Sequence, residues 1–148
     1  MKSQIATASA IINAPAETVY NLIADYRHGH PRILPKEYFL SLDVEEGGFG
    51  AGTRIHFTMR LLGQTKQFHA LITEPEPGRL LVETDINTDI PTSFRVEPID
   101  DGRLTRLTIA TELKGQNVVE SFIAKPMLQR VYRRELELVA DVAKELSH

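Results

Sequence analysis

Apolar and polar residues alternate with a period of two through the middle of the chain, from Arg54 to Leu113. Successive side chains of a β-strand point to opposite faces, so this pattern predicts strands with one apolar and one solvated face. Short turns such as Leu62-Gly63-Gln64 separate the segments and favour an antiparallel meander. The side chains assigned to the apolar, inner face are Ile55, Phe57, Met59, Leu61, Phe68, Ala70, Ile72, Leu80, Val82, Thr84, Ile86, Phe94, Val96, Leu107, Ile109, Thr111 and Leu113.

Helical patterns flank this region on both sides. Residues Ile5 to Ile12 read as a strand, and Pro15 then marks the first turn of a helix. At the other end, apolar residues recur at helical spacing from Val118 to Leu146, which predicts a helix about 43 Å long at 1.5 Å per residue. We expect Pro126 to bend this helix or to split off its first turns.

The segment YRHGHPRILP, residues 26–35, carries two histidines near a glycine and two prolines. A zinc site needs three or four ligands, and the other histidines are assigned to outward strand faces or the terminus, so we predict no metal here. Gly29 permits a turn, while Pro31 and Pro35 bracket about one turn of helix. We interpret the segment as a lid and hinge.

A glycine-rich stretch, EEGGFGAG, precedes the strand that begins near Arg54. A phosphate cradle requires such glycines to open into a helix, which this sequence does not favour. Two interpretations stay open, a flexible loop at the mouth of a cavity with Phe49 at its tip and a plain turn.

The order of elements, together with the stretches INAPAETVYNLIADYRHGHPRILP, TRIHFTMRL, ITEPEPGRLLVET and RLTRLTIATEL, resembles the START-like (Bet v 1-like) superfamily, in its polyketide cyclase/dehydrase and lipid-transport (SRPBCC) branch. The resemblance spans essentially residues 1–148 as one domain. It implies an α+β helix-grip fold, in which a curved antiparallel sheet of about seven strands, with two short helices after strand 1, grips a long C-terminal helix. It also implies a hydrophobic cavity between sheet and helix.

Small residues on the inner face, among them Ala70, Thr84 and Thr111, leave space that larger neighbours do not fill. The alternative is that side chains of the last helix fill this space as ordinary core. If the space is a ligand pocket, the residues expected to line it are Tyr26, His30, Leu34, Tyr38, Phe57, Met59, Phe68, Val82, Thr84, Phe94, Ile109, Thr111, Phe122, Met127, Val131 and Tyr132.

Composition narrows the range of partners. The formal net charge is −3, with 17 basic and 20 acidic residues spread along the chain, so we expect no nucleic-acid partner. The chain has no cysteine and no apolar run of membrane-spanning length, which predicts a cytoplasmic protein without an integral membrane segment. We expect no cofactor, and either a monomer or a homodimer.

Catalysis in an apolar pocket needs a titratable group that points inward. The face assignment places Glu83, Asp85, Glu97 and Glu112 outward, and Glu135 falls in a charged surface of the last helix. The leading hypothesis is therefore binding or transport of a small hydrophobic molecule, lipid-like or polycyclic and aromatic. A cyclase or dehydratase is one alternative, which an inward carboxylate or histidine would favour. A protein-partner module, such as a chaperone activator or antitoxin-like regulator, is the other.

Overall fold

A curved seven-stranded antiparallel sheet and one long helix form the two main layers of the protein. The computed structural model describes residues 4–114 and 118–146, and in the last helix it describes side chains from residue 124 onward. The elements are β1 (Gln4–Ile12), α1 (Ala16–Ala24), a 3₁₀ helix (His30–Ile33), β2 (Phe39–Glu46), β3 (Arg54–Leu61), β4 (Gln64–Glu76), β5 (Leu80–Asp85), β6 (Pro91–Ile99), β7 (Leu104–Leu113) and α2 (Val118–Leu146). The helix-grip fold is confirmed.

The strand order is β1-β7-β6-β5-β4-β3-β2, so every strand from β2 to β7 pairs with its neighbour in sequence. The hairpin between β3 and β4 turns through Leu62 and Gly63, whose φ angles are 52° and 77°. Positive φ at both central residues belongs to the tight turns that match the right-handed twist of paired strands. The predicted meander and this turn are therefore confirmed.

The helix α2 packs its apolar stripe against the sheet. Its buried residues include Val131, Leu136, Val139 and Val142, which share one face at helical spacing. Pro126 lies inside the helix, which is continuous on both sides of it. Of the two effects expected of Pro126, the splitting off of the first turns does not occur. The bend stays a prediction.

The glycine-rich loop fastens the end of α1 to the sheet. The Tyr26 amide donates to the Gly48 carbonyl at 2.8 Å, and the Gly50 amide donates to the Ala24 carbonyl at 3.0 Å. Gly50 has a φ of 64°, and a Cβ there would collide with the carboxylate of Glu74. None of residues 47–52, all of them described, lines the cavity. The interpretation that placed the glycine-rich loop at the cavity mouth is therefore wrong.

The segment at residues 26–35 is firmly packed. His30 and Ile33 are buried in the 3₁₀ helix, whereas the side chain of His28 is 84% exposed. Arg32 forms an ion pair with Glu145 of α2, and Glu37 lies 3.6 Å from Arg134 of the same helix. The short helix forms as expected, and both it and the residues that follow it contact α2 through these exposed ion pairs.

Candidate functional site

A cavity of about 620 Å³ lies between the sheet and α2, within the size range of small-molecule sites. Nine of the residues expected at a pocket line it: His30, Leu34, Phe57, Met59, Phe68, Phe94, Thr111, Met127 and Tyr132. The sequence therefore predicted part of its lining. Their role in binding stays a prediction.

Six other expected residues do not line the cavity, and for them the predicted position is wrong. Tyr26, Ile109 and Val131 are buried in the packing around it. Tyr38, Val82 and Thr84 lie away from its lining. The seventh, Phe122, lies outside the described side chains.

The inner face of β5 is the opposite of the one predicted. In the antiparallel ladder Ile72 pairs with Glu83, and Ala70 pairs with Asp85. Paired residues project to the same face. Because Ala70 faces the cavity, Asp85 does so too. Glu83, two residues before Asp85 on the same strand, also faces the cavity. Thr84 therefore points to the outer face.

Glu83 is the centre of a hydrogen-bonded group at the buried side of the cavity. The hydroxyl of Tyr26 donates to Glu83 Oε2 at 2.6 Å, and His30 Nε2 lies 3.5 Å from the same oxygen. Burial, followed by the charge of Glu83, raises the pKa of Tyr26 well above its ordinary value. Tyr26 thus remains a neutral donor that holds the carboxylate in place.

The ring of His30 is fixed on both faces and at one nitrogen. It stacks on Tyr26 with centroids 4.3 Å apart and meets the edge of Phe94 at 5.6 Å. His30 Nδ1 lies 2.7 Å from the carbonyl oxygen of Ile23, which can only accept, so Nδ1 carries a hydrogen. This bond turns Nε2 toward Glu83, where a ring nitrogen can accept or return a proton.

Glu135 of α2 also faces the cavity and is only 3% exposed. Its Oε2 has no hydrogen-bond partner within the described part of the chain. Burial, and secondarily the charge of Glu83, raises the pKa of Glu135 well above its ordinary value. The assignment of Glu135 to a charged surface is wrong, because its position on the helix falls between the buried residues Val131 and Val139.

A chain of hydroxyls supplies further polar groups. The hydroxyl of Tyr132 is bonded to Thr111, and Thr111 lies 2.7 Å from Thr92 on the neighbouring strand. Burial raises the pKa of Tyr132, so its hydroxyl stays protonated. These three side chains face the cavity and can bind an oxygen atom of a ligand.

On the opposite side of the cavity lies what we call the phenylalanine wall, made of Phe39, Phe57 and Phe68. The ring centroids of Phe57 and Phe68 are 5.1 Å apart, and those of Phe39 and Phe57 are 6.0 Å apart. All three side chains are only half-buried. They offer an apolar surface on which a flat ligand can stack.

Metal-binding clusters and membrane-spanning helices are both absent from the described residues. No group of three or more histidine, aspartate or glutamate side chains there is arranged to hold a metal ion. No helix in that part of the chain has an apolar stretch long enough to cross a bilayer.

A family model for polyketide cyclase / dehydrase and lipid transport matches residues 3–144. A comparison with curated proteins found no match. Among solved structures, the solution structure of the KanY protein superposes with a TM-score of 0.85, at 24% identity over 97% of this chain and 99% of that chain.

Two enzymes share the fold at lower identity. The Zhui aromatase/cyclase from Streptomyces sp. R1128 superposes with a TM-score of 0.75, at 17% identity over 99% of this chain and 96% of that chain. Norcoclaurine synthase from Thalictrum flavum, in complex with dopamine and hydroxybenzaldehyde, superposes with a TM-score of 0.72. The identity is 16% over 97% of this chain and 87% of that chain. The chain belongs to the polyketide cyclase/dehydrase and lipid-transport family of the START-like superfamily.

Proposed function

We propose that the protein is an enzyme that binds a small hydrophobic substrate in this cavity and catalyses a proton-transfer reaction of the cyclase or dehydratase kind. The observation that carries the proposal is the inward position of Glu83, beside His30 and an apolar wall. A pocket built only for carriage gains nothing from buried titratable groups, which are costly to desolvate. Such groups concentrate where protons are moved.

In this proposal Glu83 is the general base. The Tyr26 hydroxyl donates to one of its oxygens, and His30 Nε2 lies 3.5 Å from the same oxygen. A carboxylate that points into the cavity can take a proton from a carbon acid or hydroxyl bound in contact with it. The hydroxyls of Tyr132 and Thr111 hold the oxygen on which negative charge develops.

Two enzymes of this fold support the proposal. The Zhui protein is an aromatase/cyclase, and norcoclaurine synthase was solved with two aromatic compounds bound. The phenylalanine wall and the volume of about 620 Å³ suit an aromatic or polycyclic substrate of this size. Binding and transport of such a molecule, the leading hypothesis from the sequence, uses the same cavity but leaves Glu83 without a task.

The test uses a substrate-independent measure of a base in an apolar pocket. The ring opening of 5-nitrobenzisoxazole begins with removal of a C–H proton and releases a coloured phenolate. We expect the wild-type protein to accelerate it and Glu83→Gln to lower the rate ~100-fold, within the range of general base catalysis.

Glu112→Gln is the matched control, because Glu112 lies in β7 between the inward residues Thr111 and Leu113 and so on the outer face. It should keep the wild-type rate. A Glu83→Gln protein that stays folded by circular dichroism and retains the full rate would contradict the assignment. So would a wild-type rate equal to that of free acetate, provided that the benzisoxazole displaces an apolar fluorophore from the cavity.

A further inference from the structure

Glu135 has no task in the reaction proposed above, although it is among the most deeply buried charged side chains of the described chain. It is 3% exposed, it faces the cavity, and its Oε2 lacks a hydrogen-bond partner among the described residues. A buried polar atom without a partner is destabilising, and where such an atom faces a cavity a ligand can supply the missing partner.

The charges around Glu135 indicate which partner is missing. Glu83 on β5 acts on it electrostatically, and Tyr26 and Tyr132 are neutral neighbours that sense its charge. His30 lies against Glu83 at 3.5 Å. Asp85 adds a third carboxyl group to the lining.

Positive charge is scarce on this surface. Lys66 is the only lysine or arginine among the described residues that line the cavity. It is exposed near the β3–β4 turn, six residues along β4 from Ile72, the partner of Glu83. Six residues of strand span about 20 Å, so Lys66 is too distant to compensate Glu83.

We propose that the cavity binds a hydrophobic amine, whose ammonium group pairs with Glu135 while its apolar body lies on the phenylalanine wall. This assignment names a substrate class for the proposed function and rests on it. An ammonium group donates hydrogen bonds and brings the counter-charge that two carboxyl groups lack. A fatty acid or a phosphate headgroup would instead add negative charge to a surface that already carries three carboxyl groups.

The empty cavity and the amine complex differ in protonation. Without a cation, Glu135 avoids a buried charge by holding a proton, in line with the upward direction of its pKa. When the ammonium group arrives, that proton leaves. Amine binding is therefore coupled to the release of one proton, and its affinity should rise about tenfold per pH unit until Glu135 is ionised in the empty cavity.

The experiment compares four ligands on one naphthyl scaffold: 2-(1-naphthyl)ethylamine, 2-(1-naphthyl)ethanol, 1-acetonaphthone and 1-naphthylacetic acid. Dissociation constants are measured by calorimetry between pH 5 and pH 8, where an alkyl ammonium group stays protonated. We expect the amine to bind tightest and the acid to bind weakest. The affinity for the amine should rise with pH, and its binding should release about one proton.

Glu135→Gln should remove the pH dependence and lower amine affinity to that of the alcohol, while the alcohol's affinity stays the same. Glu137→Gln, two residues further on α2 at a side chain that is 66% exposed, is the matched control and should behave as wild type. His30→Gln tests whether the imidazole causes the pH dependence of amine affinity. If that dependence survives the change, it comes from Glu135.

Several results would overturn the proposal. The first is an amine that binds no tighter than the alcohol at any pH. The second is a ketone that binds tightest and weakens as pH rises, since that marks a protonated Glu135 donating to a carbonyl. The third is a pH dependence that disappears in His30→Gln but persists in Glu135→Gln. If Glu135→Gln does not fold, proton release by the wild type decides alone. The benzisoxazole rate of Glu83→Gln is independent of these outcomes.

Discussion

The apolar side of the cavity is less buried than the polar side, whereas the hydrophobic effect favours the opposite. The three rings of the phenylalanine wall, whose full burial would be favourable, are only partly buried, whereas His30 and Glu135 are 2% and 3% exposed. Burial of aromatic surface stabilises a fold, and burial of an uncompensated carboxyl destabilises it. This contrast is what the proposed function explains, since a ligand would cover the apolar side and the reaction would use the polar side.

The largest expected effects come from removing one aromatic ring from each side of the cavity. Phe94 is 2% exposed and packs its ring edge-on against His30, so Phe94→Ala should lower the free energy of unfolding by about 3–5 kcal/mol. Phe57→Ala should cost about 1 kcal/mol, because Phe57 is only half-buried, yet weaken binding of an apolar fluorophore severalfold. Urea denaturation and fluorescence titration measure the two effects.

Phe49→Ala is the control for loss of a ring at an exposed position, with Phe49 59% exposed, and should change stability by less than about 0.5 kcal/mol. If Phe57→Ala and Phe94→Ala are equally destabilising, the phenylalanine wall is ordinary core and the contrast between the two sides fails.

A smaller effect follows from the pKa of Glu135, which is raised above its ordinary value of 4.5. Between the unfolded and the folded pKa the folded protein holds a proton that the unfolded chain has lost. Stability contributed by this group is therefore complete below pH 4.5 and declines as pH rises, by up to about 1.4 kcal/mol per pH unit, until Glu135 ionises in the folded state.

Glu135→Gln should remove this decline, so the stability of wild type relative to the variant falls between pH 5 and pH 8. Denaturant midpoints at half-unit pH intervals measure the difference. Glu137→Gln should run parallel to wild type. Parallel curves for Glu135→Gln and wild type would show that the buried carboxyl does not titrate between these limits.

The smallest expected change sharpens the assignment of faces in β5. Thr84→Phe places a ring on the outer face of the sheet, so stability should stay within about 0.5 kcal/mol and fluorophore binding within twofold of wild type. Thr111→Phe, on the inner face, should block the fluorophore and cost about 1–3 kcal/mol by overpacking and by breaking the contact with Tyr132. Loss of fluorophore binding in Thr84→Phe alone would contradict the register.

The sequence predicted the fold well because periodicity reports the average environment of a segment. The alternation at Ile55, Phe57 and Met59 is regular, and these residues do line the cavity. In β5 the run Leu80-Leu81-Val82 is apolar at three successive positions, so alternation there has no defined phase. The polar residue Glu83 was then assigned to solvent by default.

The carboxyl groups of the site were missed because charged residues were assigned to solvent. Glu135 completes the helical spacing between Val131 and Val139, and a charged residue inside an apolar stripe is the signal that would have revealed it. For Glu83, the signal is the pairing register with Ile72, which depends on the length of the preceding turn and bulge. Functional residues violate the pattern by which core residues are recognised.

The position of Glu135 also couples folding to protonation. Glu83 and Glu135 are 52 positions apart in sequence, from β5 and α2, so their mutual repulsion begins only when the last helix meets the sheet. Until then Glu135 is hydrated and, at neutral pH, ionised. Docking of α2 removes that water and raises the pKa of the carboxyl group. Between the ordinary and the raised pKa of Glu135, packing of the last layer is therefore coupled to proton uptake.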